Sequence, residues 1–316
     1  MNAGKKSLKL LIPAALALAV AFYLGVVGPR RERASVNAEA AEQRLESSFR
    51  RITQLREAGD YRAARSLLSA TLAETEATFG AQSLAMAAAL NQLGMIGKYD
   101  GQFGEAESAY RRALRITEET AGDNHPLAAT LYHNLGGLAH ARGRFAEGEP
   151  LARRAVEIRE RLLGPAHPET AADVAALAAL LDGQGKYDES ESLYKRALAI
   201  FEREYGPEHY EIAVNLNNLA ALKYAQGRWD EADPLYRRAL LIKEKLLRPE
   251  HPDVAMTLNN LALLCKARGR YVEAEALYRR ALAIFEKTFG TEHPKVISCG
   301  NNLARLQQEI ARQIHR

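Results

Sequence analysis

Cysteine is scarce in this sequence. Of its 316 residues only Cys265 and Cys299 are cysteines, and no CxxC pair occurs. This scarcity excludes a disulfide framework and a zinc-finger spacing. Both cysteines lie among apolar neighbours in segments predicted to be helical, so we expect each to be a small buried hydrophobic residue.

Motifs of catalytic sites are absent as well. The sequence contains no P-loop, no HExxH, no GxSxG elbow and no GxGxxG that follows a strand, although these patterns mark many catalytic and nucleotide sites. It also lacks the strand pattern on which such motifs lie. The sequence therefore predicts a protein that is not an enzyme, with no catalytic residue, no cofactor and no small-molecule substrate.

Most of the chain lacks an excess of positive charge. Residues 1–33 carry six basic side chains and one acidic side chain, whereas the rest carries 37 basic and 38 acidic ones. The formal net charge of +4 therefore comes from the N-terminus. Because nucleic-acid binders present a basic surface, the composition predicts no nucleic-acid partner.

Only one long apolar run is present, the 20 uncharged residues at 10–29. As a helix with a rise of 1.5 Å per residue it would reach about 30 Å, the thickness of the hydrocarbon core of a bilayer. A cleaved signal peptide is the main alternative, although its apolar run is usually about 7–15 residues long. We expect a single-pass anchor, in the inner membrane of a bacterium.

The orientation of this anchor is only weakly specified. Three basic residues lie near each end, so the asymmetry of Lys and Arg that sets topology is missing. A cytoplasmic tail with the rest of the chain in the periplasm is preferred over the reverse. If the segment were a cleaved signal peptide, the mature protein would be periplasmic or secreted. Residues 30–40 are predicted to be a linker, because this stretch becomes small and polar after residue 33.

The sequence is rich in repetition. A period of 42 residues runs through nearly all of the chain without an insertion. Five histidines and six glycines recur at this spacing, namely His125, His167, His209, His251 and His293, and Gly59, Gly101, Gly143, Gly185, Gly227 and Gly269. A fixed period of this length identifies a repeat array, and stacked repeats build a long surface rather than an enclosed reaction chamber.

Each repeat has the pattern of two helices. In the best-formed repeat, Pro252 and Asp253 suit the first turn of a helix, and apolar residues then recur at helical spacing. Gly269 interrupts the pattern in a turn, Tyr271 begins a second amphipathic helix, and Gly290 ends it. The pattern predicts one helical hairpin in each repeat.

These repeats resemble tetratricopeptide repeats, and most of all the 42-residue repeats of kinesin light chain and its bacterial relatives. The resemblance rests on LNNLA in the first helix, an LYRRALAI-type run in the second and a GPEHP-type turn. Three positions agree in six registers: a small residue in the first helix (Gly94, Gly136, Ala178, Ala220, Ala262, Ala304), an aromatic residue after the turn (Tyr61, Phe103, Phe145, Tyr187, Trp229, Tyr271) and a small residue in the second helix (Ala64, Ala106, Gly148, Ser190, Ala232, Ala274).

The resemblance implies an all-α protein, a right-handed α-solenoid of tetratricopeptide helical hairpins, and the apolar run at 10–29 predicts one N-terminal transmembrane (or signal) helix before it. The implied order is a basic tail at 1–9, the anchor at 10–29, the linker at 30–40, six repeats of 42 residues at 41–293 and a capping helix at 294–316. The first repeat departs from the pattern at Ile52 and Leu68, as terminal repeats often do. The heptad region of kinesin light chain is absent, so a kinesin role does not follow.

The five histidines in register suggest a metal site, but a structural role is preferred. Stacked helices lie about 8–10 Å apart, whereas zinc binds its ligands at about 2.0–2.1 Å. One ion therefore cannot collect histidines from successive repeats. We expect the His-Pro pairs to shape the turn before each first helix, and we predict no metal site.

Runs of tyrosine and arginine in the second helices, such as Tyr236-Arg237-Arg238, suggest stacking on bases and contacts with phosphates. In five repeats, however, an acidic residue precedes the first basic residue by four positions. Such pairs stabilise a helix by about 0.2–0.5 kcal/mol each. We expect the tyrosines to pack in the core and the charges to neutralise one another on a solvated face.

In the family that these repeats resemble, the first helices line a concave groove, and the residue three before the small position points into it. Those residues are Asn91, His133, Ala175, Asn217, Asn259 and Asn301, with Ala179 one turn after Ala175. The groove edge would carry Lys98, His140, Asp182, Tyr224 and Lys266, which could select charge.

The Asn-Asn pairs in the predicted first helices require an explanation, because asparagine is a poor residue for a helix interior. An amide both donates and accepts hydrogen bonds, which matches the backbone of an extended peptide. We assign the first asparagine of each pair to a ligand and the second to hydrogen bonds between neighbouring helices. Ala175, Ala176 and Ala179 would make the middle of the groove apolar, as a pocket for a hydrophobic anchor.

The predicted function is a membrane-tethered scaffold for protein–protein interaction, which binds an extended peptide segment of a partner protein in this groove. Two alternatives remain open. The chain could self-associate into a homo-oligomer that organises a membrane assembly, or it could be the regulatory subunit of an enzyme partner. The sequence does not identify the partner.

Overall fold

Helices account for all of the regular structure in the part of the chain that the structure describes. The structure is a computed structural model, and it describes residues 29–314. Within this range it contains α1 (Pro29–Glu57), α2 (Tyr61–Phe79), α3 (Leu84–Tyr99), α4 (Phe103–Ala121), α5 (Pro126–Ala141), α6 (Phe145–Leu163), α7 (Pro168–Gly183), α8 (Tyr187–Tyr205), α9 (Tyr210–Ala225), α10 (Trp229–Leu246), α11 (Pro252–Ala267), α12 (Tyr271–Phe289) and α13 (Pro294–Ile314). The expected all-α class and the hairpin pattern are confirmed.

Within residues 29–314 the chain forms two compact units, and the first ends at Leu138 while the second begins at Ala139. We call the odd-numbered helices A helices and the even-numbered helices B helices. In the second unit each A helix packs along its B helix, and each B helix also packs on the next A helix. The successive A helices α7, α9, α11 and α13 contact one another directly. In the first unit α2 packs between α1 and α3, and α4 packs along α3.

The turn inside each hairpin depends on glycine, as the period predicts. After α7 and α9 the chain turns at Gly185 and Gly227, whose φ angles are 75° and 72°. Residues with a side chain are disfavoured in this left-handed region, because the Cβ atom clashes with the backbone, whereas glycine enters it without a steric penalty. The turn therefore ends the A helix and allows the B helix to fold back along it.

The five repeated histidines cap the A helices that follow them. In each case Nδ1 of the histidine accepts a hydrogen bond from the backbone N–H two residues later, at 3.1–3.3 Å: His125 from Leu127, His167 from Glu169, His209 from Glu211, His251 from Asp253 and His293 from Lys295. At α3 the cap is Ser83, whose hydroxyl accepts a hydrogen bond from the backbone N–H of Met86, three residues later, at 3.1 Å. The predicted structural role of the histidines is confirmed.

The core follows the small and aromatic positions of the repeat. Tyr194, Tyr236 and Tyr278 of the B helices are buried with the small residues of the A helices. At Gly94 even a methyl group would lie 2.4 Å from the ring of Tyr110, so the tyrosine fills the space of the missing side chain. Cys265 and Cys299 are free and buried, as expected.

The exposed side of the B helices, which we call the B face, neutralises its own charge. All five predicted pairs at i,i+4 are formed, with N–O distances of 2.6–2.9 Å. Further pairs join successive B helices in the second unit, for example Arg237 with Glu273 at 2.6 Å and Arg238 with Glu202 at 2.7 Å. Each exposed pair contributes only about 0.2–1 kcal/mol, so the result is a solvated face without excess charge.

The N-terminal segments were expected to be a tail, an anchor and a linker. The tail and all of the predicted anchor except Pro29 lie outside the described residues. Residues 30–40, expected to be a linker, belong to α1, which runs without interruption from Pro29 into the first repeat. Of the helices within 29–314, none is both long and apolar enough to cross a membrane.

Candidate functional site

One side of the A helices is left outside the core. In the second unit it carries Ala175 on α7, Asn217 on α9, Asn259 on α11 and Asn301 on α13, all partly or fully exposed. We call this side the A face. The four residues occupy equivalent positions on consecutive helices that contact one another, so the structure brings together the predicted ligand positions of this unit as one row.

Amide side chains join successive A helices along this row. Asn260 Nδ2 donates to Asn217 Oδ1 at 3.3 Å, and Asn302 Nδ2 donates to Asn259 Oδ1 at 3.4 Å. The second asparagine of each pair is thus a donor between helices, in agreement with the role expected from the sequence. The first asparagine contributes its oxygen to these bonds, which we call the ladder. The sequence did not predict this role of the first asparagine.

The ladder determines which group of the first asparagine remains for a ligand. Oδ1 already accepts one ladder bond, whereas the ladder does not use the NH2 group of the first asparagine, which can donate. Asn259 Nδ2 has no acceptor among the described residues, and Asn217 Nδ2 donates one of its two N–H groups to Asn218 Oδ1 at 3.5 Å, which leaves the other for a ligand. The A face therefore offers donors at a spacing of one repeat.

The ladder is interrupted at α7, where alanine replaces both amides. Asn218 would donate to the residue at the position of Ala175, which has no acceptor. Ala175 and Ala179 instead pack against the cluster of Ala178 and Tyr194 and remain partly exposed. They form a short apolar strip in the A face, at the place where the sequence predicts one.

The first unit has its own pair of amides. Asn134 Nδ2 donates to Asn91 Oδ1 at 2.8 Å, and Asn91 Nδ2 lies 3.9 Å from the sulfur of Met95. His133 is partly exposed on α5, beside Asn134. Lys98 is partly buried against the next A helix, where a side chain at Gly137 would meet its Nζ at 2.9 Å. Burial lowers the pKa of Lys98.

The predicted charge-selecting residues of the second unit differ in their surroundings. Lys266 pairs with Glu309 of α13 at 2.8 Å, so its charge is already neutralised. Tyr224 packs against the core, and His140 makes an edge-to-face contact with Phe145 at 5.3 Å between ring centres. Asp182 has no basic partner among the described residues, and burial raises its pKa. Of this set, only Asp182 presents a charge without a counter-ion.

A cleft of about 160 Å³ opens on the A face between α11 and α13. Its walls are Met256 and Asn259 from α11 and Lys295 and Ser298 from α13, and its floor is Phe285 and Cys299. The two floor residues are 3% and 1% exposed. The cleft therefore combines an apolar floor with an amide and a cation at its rim.

The contribution of Lys295 and Ser298 of α13 to this cleft was not among the sequence-based predictions. The signal was present in the repeat, because Ser298 is small where Met256 and Val214 stand one and two repeats earlier. Of this helix only Asn301 was predicted to face a ligand, and its N-terminal turn was not. No group of three His, Cys, Asp or Glu residues within 29–314 is arranged to hold a metal ion.

Comparison with family models gives one match, and it spans the described helices. The model described as tetratricopeptide repeat matches six overlapping segments at 44–119, 86–147, 127–203, 172–245, 211–287 and 253–313. No curated protein matches the sequence.

Solved structures of repeat proteins are similar to this one. BtubC (BKLC) from P. vanneervenii is 26% identical, with a TM-score of 0.55, and the match covers 81% of this chain and 94% of that one. A kinesin-light-chain-like protein from Podosopora anserina, with nearly identical TPR-like repeats, is 28% identical with a TM-score of 0.52, over 63% of this chain and 94% of that one. PilW, a type IV pilus biogenesis factor, is similar in fold at 19% identity, with a TM-score of 0.54 over 81% and 98% of the two chains.

Proposed function

The chain belongs to the tetratricopeptide repeat family, whose members are scaffolds for protein–protein interaction, and from this premise we propose that its A face binds an extended peptide segment of a partner protein. The kinesin-light-chain-like repeats supply the row of A helices on which the proposal rests. The partner would lie along that row, with its backbone hydrogen-bonded to the asparagines.

The orientation of the asparagine amides carries this proposal. The ladder uses the oxygens of Asn217 and Asn259 and leaves their NH2 groups to donate. An extended peptide has free carbonyl groups, which accept such donors. The B face, in contrast, has neutralised its charges within the chain, so it offers less to a ligand.

The two ends of one ladder bond provide a matched test. Asn217→Ala removes both the bond to Asn260 and the proposed donor to the peptide, whereas Asn260→Ala removes the same bond and keeps that donor. We expect Asn217→Ala to weaken peptide binding about tenfold, the effect of one hydrogen bond of about 1.4 kcal/mol, and Asn260→Ala to weaken it far less. The measurement is fluorescence anisotropy with peptides selected from a displayed library of random linear peptides.

Equal effects of these two variants would mean that the ladder only supports the helices. No effect of either variant, with wild-type binding intact, would place the peptide elsewhere on the protein. A separate variant tests the apolar strip at Ala175. Ala175→Asp would put a charge beside the bound peptide, so it is expected to weaken peptide binding as well.

Tethering to a membrane by residues 10–29 is the second part of the proposal. It is supported by the 20 uncharged residues between Lys9 and Arg30, enough to span a hydrocarbon core as a helix. We expect the full-length chain to stay with membranes after extraction with alkaline carbonate and a variant lacking residues 1–29 to be released. A full-length chain found in the soluble fraction would contradict the anchor, and a new N-terminus after residue 29 would indicate a cleaved signal peptide.

The repeats are proposed to face the periplasm, with the basic tail in the cytoplasm. A cysteine introduced at the exposed Gln308 would then react with a membrane-impermeant maleimide in cells whose outer membrane alone is permeable. Reaction only after the inner membrane is opened would reverse the orientation.

A further inference from the structure

The cleft between α11 and α13 has a size that matches a single side chain. Its volume of about 160 Å³ is close to that of an engineered cavity of about 150 Å³ that holds one benzene molecule in another protein. Pockets for drug-sized ligands are larger, about 300–1,000 Å³. The cleft thus has room for one branched aliphatic group or one six-membered ring.

The floor of the cleft is suited to an apolar group. Phe285 and Cys299 are almost completely buried there, while Met256 at the rim is 39% exposed. An apolar side chain entering the cleft would remove its own surface and that of Met256 from water, which is favourable at about 25 cal/mol per Å² of apolar surface, while the buried Phe285 and Cys299 supply apolar contacts below it. A thioether and a ring also pack well against such a group.

A positive charge stands beside this apolar floor. Lys295 Nζ lies 3.8 Å from the sulfur of Met256 and 5.3 Å from the ring centre of Phe289. Among the described residues no carboxylate pairs with it, although most exposed arginines and lysines of the second unit have such partners. Lys295 is therefore available to an acidic group on a ligand.

Among the repeats, a cation at the position of Lys295 and a small residue at the position of Ser298 occur together at this junction. The position of Lys295 is occupied by Glu169, Glu211 and Asp253 in the three preceding repeats, so the sign of the charge is reversed here. The position of Ser298 is occupied by Val214 and Met256 in the two preceding repeats and by the small Ala172 in the repeat before them, where the charged residue is Glu169. A small residue and a cation thus occur together at the last junction of the array.

From these observations we infer that the cleft is a specificity pocket, which takes one apolar side chain (Leu, Met or Phe) of the bound peptide, with an acidic residue next to it that pairs with Lys295. This inference rests on the proposed function, because the pocket lies in the row of Asn217 and Asn259. It adds the class of sequence that the partner carries and the end of the A face at which that sequence binds.

The test uses the full-length protein and a displayed library of random linear peptides. Peptides selected on the wild type are expected to share an apolar residue beside Asp or Glu. Ser298→Met copies the preceding repeat and fills the cleft from an exposed position, so it is expected to weaken binding of these peptides at least tenfold. Gln308→Met makes the same kind of change on the exposed side of α13, away from the cleft, and is expected to leave binding unchanged.

The role of the Lys295 charge is tested by reversing the charge first on the protein and then on the peptide. Lys295→Asp copies the sign found in the preceding repeats and is expected to weaken binding of the acidic peptide about tenfold, and a peptide with Lys in place of its acidic residue is expected to recover binding to this variant. A structural role of Lys295 would not produce this recovery. Because Lys295 and Ser298 are both exposed, neither variant disturbs the core.

The outcomes separate the pocket from the groove. If Ser298→Met and Gln308→Met bind the peptides as well as the wild type does while Asn217→Ala binds weakly, the pocket is wrong and the proposed function stands. If no peptide is selected by the wild type, both are wrong. If Ser298→Met changes the sedimentation of the protein from dimer to monomer, the cleft holds a second copy of this chain, and the inference is overturned.

Discussion

The histidine side chains that cap the A helices act only while Nδ1 is unprotonated. Nδ1 accepts the backbone N–H in each cap, and a protonated imidazole has no acceptor. Protonation also places a positive charge at the N-terminus of a helix, where the helix dipole disfavours it. In agreement with this, burial lowers the pKa of His125 and of His209.

We therefore expect the free energy of unfolding to fall between about pH 7.5 and about pH 5.5. A lowered pKa in the folded state means that the unfolded chain, with histidine near about 6.5, binds more protons, so stability is lost as the pH falls through that value. The paired carboxylates of Glu149 and Glu191 have pKa values of about 2 and do not titrate in this window. Urea unfolding at the two pH values measures the loss.

Ser83 provides the control for this prediction, because it caps α3 with a hydroxyl that does not titrate. A variant with His125→Ser and His209→Ser keeps a cap at both helices, and its stability is expected to change less with pH. If the variant and the wild type lose the same stability, the histidine caps are not the cause.

Part of the A face was predictable from single residues and part was not. The second asparagine of each pair was assigned to bonds between helices because an amide inside a helix needs a partner, and Asn260 and Asn302 have that role. Lys266 was expected to select charge, yet it pairs with Glu309. That partner is 43 positions away, and only the stacking of α11 on α13 brings the two side chains together.

At the scale of helices, each junction between a B helix and the next A helix contains its own pair of buried residues. Between α6 and α7, Arg159 and Asp173 form an ion pair at 3.0 Å and are 6% and 2% exposed. The equivalent pairs at the following junctions are Phe201 with Asn215, Lys243 with Thr257 and Phe285 with Cys299. The packing position is the same, but the chemistry differs from junction to junction.

This variation gives a prediction about stability. Asp173→Ala removes the buried carboxylate from Arg159 and leaves it paired with the more exposed Glu169, so it is expected to lower the free energy of unfolding by about 1–3 kcal/mol. The double variant Arg159→Phe with Asp173→Asn copies the junction between α8 and α9 and is expected to lose much less, because no buried charge remains. Urea unfolding of both variants is the measurement. A double variant as unstable as Asp173→Ala would show that the charge is not what matters.

The helices themselves were predictable because glycine, proline and histidine mark their ends in most repeats. The exception is α1, which begins at Pro29 and includes the expected linker at 30–40. This segment contains alanine and glutamate as well as small polar residues. Alanine and glutamate favour a helix, and in this segment their propensity outweighs the turn preference of the small polar residues.

At the scale of the whole molecule, the period of 42 predicted the repeated hairpins but not their differences. A period treats all repeats as equivalent, so it could not indicate that the chain divides into two units at Leu138. It also could not distinguish the junction of α11 and α13, where a cleft opens. Those features depend on the residues in which one repeat departs from the others, such as Ser298 and Lys295.

The two faces of the second unit differ in what they offer to a partner. On the B face, charged side chains find partners within the chain, both inside one helix and between successive B helices. On the A face, amide donors, an apolar strip and an apolar cleft remain without a partner in the described residues. Our account therefore assigns partner binding to the A face.

Site-specific photo-crosslinking tests this assignment most directly. Benzoylphenylalanine would replace Leu263, on the A face of α11, or Arg279, on the B face of α12, and each protein would be irradiated with a selected peptide bound. We predict a crosslinked peptide from position 263 and none from position 279. A crosslink from position 279 with none from position 263 would contradict the account.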